Sequence, residues 1–97
     1  MIRSFTDRGT EDLFNRRDSG RARRTCPRAV WPVAQRKLDL LNAAVSLVSL
    51  RLPPGNNLEA LTGDRQGQHS IRINDQFRLC FVWIADGPEA VEIADYH

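Results

Sequence analysis

The segment Phe77–Ile84 reads Phe-Arg-Leu-Cys-Phe-Val-Trp-Ile. Side chains of an extended chain alternate between two faces. Phe77, Leu79, Phe81 and Trp83 therefore share one face, and Arg78, Cys80, Val82 and Ile84 share the other. A strand apolar on both faces needs cover on both, so it is expected at the centre of a sheet. Arg78 is its one charge, and a charge in such a strand needs a partner or a task.

The flanking sequence supplies the neighbours. Residues 68–73 alternate, with His69, Ile71 and Ile73 on one face and Ser70 and Arg72 on the other. Asn74-Asp75-Gln76 is a tight connection into the central strand, and Asp86-Gly87-Pro88 turns the chain out of it. Residues 90–95 form a last strand, followed by Tyr96 and His97. Residues 58–61 are a short strand candidate before the turn at residues 62–67, and residues 2–5 are another.

Helical signals come earlier in the chain. Val30, Ala34, Leu38, Leu41 and Val45 recur at steps of three and four and form one stripe. Pro32 must lie in the first turn, because a proline in the helix interior costs about 3 kcal/mol. The helix is expected to start near residues 29–32 and to end near 42–44, with a further turn over 46–50 before Pro53-Pro54-Gly55. Asp7 or Thr10 is placed to cap a shorter helix carrying Leu13 and Phe14. Helices followed by a run of strands predict an α+β domain, with the helices packed on one mainly antiparallel sheet. A chain of 97 residues suits one domain, residues 1–97.

Charge is the next constraint. The net charge is +2, but residues 15–28 hold six arginines and one acid, Asp18. Arg21, Arg23 and Arg24 are candidates for RNA contact, since arginine suits bidentate phosphate binding. An acidic protein partner or a solvated loop are the other readings of the segment, which carries no apolar period. No apolar run approaches the ~20 residues of a membrane span, and the opening residues lack a signal-peptide core. A cytoplasmic protein without a membrane partner is expected. Cys26, beside a proline, reads as a loop thiol and Cys80 as a core thiol; a disulfide is not expected. No Cys/His spacing fits zinc, so no metal site and no cofactor are expected.

Arg65, Arg78, Asp95, Tyr96 and His97 are the polar groups of the β half best suited to chemistry. An RNA 2′-hydroxyl attacks its own phosphate when a base takes its proton and an acid protonates the leaving 5′-oxygen. Guanidinium groups stabilise the charge that builds on phosphorus, and histidine serves either proton role. Other readings stand beside this one: Arg78 pairing across strands with Glu92 or Asp95, Tyr96 as a core residue, and His69 as a packed residue. Residues alone leave RNA cleavage one option among several.

Residues 52–75, LPPGNNLEALTGDRQGQHSIRIND, change the weighting, together with QFRLCF (76–81), VEIADYH (91–97) and the opening MIRSF. With AQRKLDLLNAA (34–44) they resemble the HigB/GraT-type branch of the RelE/ParE toxin superfamily over nearly the whole chain. The resemblance implies a RelE-like fold and a ribosome-dependent, metal-independent endoribonuclease that cuts mRNA. Its expected partner is a HigA-like helix-turn-helix antitoxin, through which alone it reaches operator DNA. Arg65, Arg78, Asp95, Tyr96 and His97 match the family's catalytic positions. Arg65 and Arg78 would bind phosphate, His97 would act as general acid or base, Asp95 would orient it or share the proton, and Tyr96 would stack on a base or place the 2′-hydroxyl. Arg72 joins Arg21, Arg23 and Arg24 as an RNA-binding candidate.

Two departures qualify the match. Ribonucleases of this branch carry His or Lys just before Gly-Asp-Arg, where this chain has Glu59-Ala60-Leu61-Thr62; a mild toxin is expected. His69 stands where an aromatic such as Trp is common, and packing is its expected role. Two alternatives are a gyrase poison of the ParE kind and a degenerate toxin that only binds ribosome or antitoxin. The complete Asp95-Tyr96-His97 ending favours the nuclease.

Overall fold

The computed structural model of the protein describes residues 1–85 and 87–95. Four strands, β1 (Glu59–Ala60), β2 (His69–Arg72), β3 (Phe77–Ile84) and β4 (Gly87–Asp95), pair in that order. All three pairings are antiparallel. The sequence-predicted central strand is β3, between β2 and β4. Its Phe77, Leu79 and Phe81 join Ile71, Ile73, Val91 and Ile93 in the main core, with the helices. Full burial of a side chain such as Leu79 or Phe81 is worth about 1.5–3 kcal/mol. The opposite face carries a smaller apolar cluster, Leu61, Cys80 and Ala94, and the arginines described below.

β4 begins three residues earlier than the alternation at 90–95 predicts, at Gly87. The cause is a bulge. Val82 pairs with Glu89 but Cys80 with Glu92, and Ala90 takes a φ of 51°. The extra residue breaks the period of two, which hides the first half of the strand from a pattern reading.

Three α-helices form the other layer: α1 (Arg8–Phe14), α2 (Gly20–Thr25) and α3 (Trp31–Ala43). Asp7 caps α1, accepting from the Thr10 backbone N–H at 2.7 Å. Fully buried Thr10 ties α1 to the sheet, its hydroxyl accepting from the Ile93 backbone N–H at 3.1 Å. Pro32 lies in the first turn of α3, and Ala34, Leu38 and Leu41 are buried. Val45 is not part of that stripe: the helix stops at Ala43, and Val45 is 86% exposed. The further turn past α3 is a 3-10 turn, Val48–Arg51.

Two more expectations are corrected. The arginine segment is not all loop, because α2 forms within it. Ser19 caps α2 by accepting from the Ala22 N–H at 3.0 Å, and Ala22 is buried against α1. Gly9 permits the approach: a Cβ there would lie 2.0 Å from Thr25 Oγ1 and 2.7 Å from the Arg21 carbonyl oxygen. Cys26, in the bend that follows α2, is the loop thiol expected but a buried one, and burial pushes its pKa up to about 11. Residues 2–5 do not make a full strand. They run parallel to β4, with a single bridge from Phe5 to Val91 and backbone hydrogen bonds from Arg3 to Pro88 and from Thr6 to Val91. No helix among the described residues is long and apolar enough to cross a membrane.

Candidate active site on the open face of the sheet

Arg78 projects from the middle strand onto the face away from the helices. Its Nε donates to Ser70 Oγ at 2.8 Å and its Nη2 to the Asn57 carbonyl at 2.7 Å. Only 12% of its side chain is exposed. The partners arise locally. Ser70 stands opposite Cys80 on β2, next to the Arg78 position. Asn57 has left-handed backbone, φ 45°, a conformation Asn tolerates better than most residues. The loop carrying it is anchored by buried Asn56, whose Nδ2 donates to the carbonyls of Leu50 and Leu52 and whose Oδ1 accepts from Lys37 Nζ. Burial is the main reason that the Lys37 pKa is lowered, with Arg36 and Arg72 adding to it.

Arg65 reaches the same face from the 3-10 turn Gly63–Arg65. Its Nη1 donates to Glu92 Oε1 at 2.6 Å and to Gln68 Oε1 at 3.0 Å. Cys80 is two residues along β3 from Arg78 and opposite Glu92, the partner of Arg65. Burial raises its thiol pKa, the charges of Arg65 and Arg78 pull it down, and Glu92 pushes it up. Both guanidinium groups therefore border one patch of sheet. Glu59, on edge strand β1, lies 3.8 Å from Arg78 Nη2. Arg72 is directly opposite Arg78 in the register and pairs with Asp75. Like charges facing each other across strands repel, so Arg72 and Arg78 concentrate positive potential here.

The other sequence-predicted residues fall elsewhere or outside the described chain. Asp95 is opposite Phe77, so alternation gives it the helix-side face at the sheet's rim, where Gln76 Nε2 donates to its Oδ2 at 3.1 Å. Tyr96 and His97 lie outside the described residues. Arg21, Arg23 and Arg24 belong to α2, in the helix layer and across the sheet from Arg78. Glu92 is paired with Arg65, not with Arg78 as the cross-strand alternative had it. His69 stacks on Phe81 with centroids 6.4 Å apart, and among the described residues its buried Nδ1 has no hydrogen-bond partner. Ser70, Gln68 and the Asn57 carbonyl were not singled out from sequence, and Glu92 was named only as a partner for Arg78. Their one legible signal is that Ser70 and Glu92 flank Cys80 on neighbouring strands. Among the described residues, no group of three or more His, Cys, Asp or Glu is placed to hold a metal ion.

A model of the RelE-like toxins of HigB type II toxin–antitoxin systems matches residues 3–97. Toxin HigB-1 of Vibrio cholerae is 36% identical over 97 residues, covering 100% of this chain and 98% of that protein. An uncharacterized protein of Haemophilus influenzae is 40% identical over 55 residues, 57% of this chain and 54% of that protein. Four antiparallel strands under a helical layer, with a full-length match of this kind, define a RelE-like toxin of a type II toxin–antitoxin system. Within that class the chain belongs to the HigB-like toxin family, whose members inhibit translation by cutting mRNA. An antitoxin is accordingly its partner. The gyrase and binding-only alternatives are not favoured.

Proposed function

We propose that the protein cleaves mRNA on the translating ribosome in the cytoplasm, without a metal ion, using the open face of the sheet. The observation that carries this reading is the pair of guanidinium groups, Arg65 and Arg78, each held by fixed partners beside one buried thiol. A phosphate between them receives two donors whose positions are set before it arrives, which favours the charge that grows in the transition state. The 2′-oxygen forms a bond to phosphorus as the bond from phosphorus to the 5′-oxygen breaks, leaving a cyclic phosphate and a 5′-hydroxyl. His97 is assigned to one of the two proton transfers, Asp95 to orienting it or sharing the proton, and Tyr96 to stacking on a base or placing the 2′-hydroxyl. Arg72 extends the phosphate track, and Arg21, Arg23 and Arg24 are assigned to ribosomal or messenger RNA. The partner antitoxin is of the helix-turn-helix, HigA-like kind and carries operator binding. Glu59 and Thr62, where related ribonucleases have cations, make the toxin mild.

The test is a map of transcript 5′ ends after brief induction of the intact chain and of one lacking Asp95, Tyr96 and His97. New ends at in-frame codon positions with the intact chain alone are expected. Growth arrest without new ends from either chain would sink the nuclease reading.

A further inference from the structure

We propose that Glu59 is a brake built into this site, a carboxylate that competes with an RNA phosphate for Arg78. The inference rests on the reading of Arg78 as a phosphate ligand.

Each of the two arginines has a carboxylate neighbour, and the two carboxylates differ in kind. Glu92 sits on β4, 2.6 Å from Arg65, with 24% of its side chain exposed. It shares the Arg65 Nη1 donor with Gln68, and it acts as a fixed anchor. Glu59 sits on a two-residue edge strand, is 56% exposed, and is 3.8 Å from Arg78. Arg78 does not need it for position, since Ser70 and the Asn57 carbonyl already hold the guanidinium. The register sets Glu59 opposite Ser70, so its side chain shares the open face with Arg78 and its negative charge borders the guanidinium that a phosphate would meet. An exposed carboxylate at that distance is held weakly and is displaceable, yet it offsets part of the attraction on offer. Glu59 therefore weakens substrate binding without disordering the site.

The experiment uses ribosomes programmed with a short mRNA. Binding is read with a 2′-O-methyl message, which cannot attack its own phosphates, and cleavage with the ordinary one. Glu59→Gln should tighten binding about two- to five-fold, the scale of an exposed ion pair, and Glu59→Lys should tighten it more. The gain should shrink at high salt, as exposed charges are screened. In an Arg78→Ala background Glu59→Gln, which removes the carboxylate without adding a cation, should not help. The brake is overturned if Glu59→Gln and Glu59→Lys bind no better than the parent, or if the Glu59→Gln gain persists without Arg78. If Arg78→Ala itself cleaves like the parent, the phosphate reading falls and the brake falls with it. An inactive Arg78→Ala beside an unimproved Glu59→Gln removes the brake alone. Glu59 is exposed at a sheet edge, so both variants should keep the parent's unfolding midpoint.

Discussion

The arginines of the α1–α2 hairpin and those of the open sheet face are of one residue type under opposite constraints. On the hairpin, Arg16 pairs with Asp39, and Arg23 and Arg28 share Asp18, with the arginine side chains 50–61% exposed. These pairs join exposed side chains to exposed side chains, and such contacts contribute little. On the sheet, Arg78 is 12% and Arg65 32% exposed. Their partners include a backbone carbonyl and side chains on neighbouring strands. A guanidinium whose fork is fixed in advance loses little freedom on meeting a phosphate. The dense run of arginines is held by exposed acids, whereas the two scattered arginines of the proposed site are held against the sheet.

The largest effect that would break this comparison is on activity. Arg78→Ala should lower mRNA cleavage on programmed ribosomes by about 100-fold or more, the scale of losing a preorganised donor. Neutralising Arg23 and Arg24 together should cost far less in rate and should flatten the salt dependence of ribosome binding instead. If the hairpin variant loses as much cleavage at saturating ribosome as Arg78→Ala, the distinction between surface and site fails.

Next in size is a packing effect on the hairpin alone. Gly9→Ala drives a methyl group into Thr25 Oγ1 and the Arg21 carbonyl. Overpacking of this kind costs about 1–3 kcal/mol. Chemical denaturation should show that loss, with cleavage retained well below the unfolding midpoint because the atoms the new methyl meets belong to α2 and not to the open face of the sheet. Unchanged stability would mean that α2 docks more loosely on α1 than described.

The smallest effect is a pH dependence in the same hairpin. Asp12 is buried between α1 and α2, and its carboxyl pKa is held below the ordinary 3.8 chiefly by the Ser19 hydroxyl, with Arg21 and Arg17 adding to this. A carboxyl with a lowered folded-state pKa stabilises the fold above the unfolded-state value and loses that contribution as pH falls through the folded-state value. Acid unfolding of Asp12→Asn should therefore show a shallower fall in stability below about pH 4 than that of the parent. Identical slopes would remove Asp12 as a contributor.

The two regions also differ in how far they were legible. β3 was readable to the residue because Phe77–Ile84 is apolar on both faces, and no other element accepts that pattern. The first half of β4 was hidden by the Ala90 bulge, and α2 by its lack of an apolar period: its single buried residue is Ala22. Arg65 and Arg78 were selected by motif and by contrast with their apolar surroundings. Their partners were not, since a serine hydroxyl, a glutamine and a loop carbonyl carry no sequence mark until the strands are paired. Glu59 was visible only as a missing cation, and its nearness to Arg78 came with the register of β1.

β4 follows every other described element in the chain, and it brings Glu92 to Arg65 and Val91 and Ile93 to the core. Domains fold as the chain is made. Until β4 has emerged and docked along β3, Arg65 lacks its carboxylate anchor and the sheet lacks one side of its middle strand. A chain lacking β4 therefore holds Arg65 without its carboxylate anchor, and the order of strands along the chain defers assembly of the proposed site until β4 has been made.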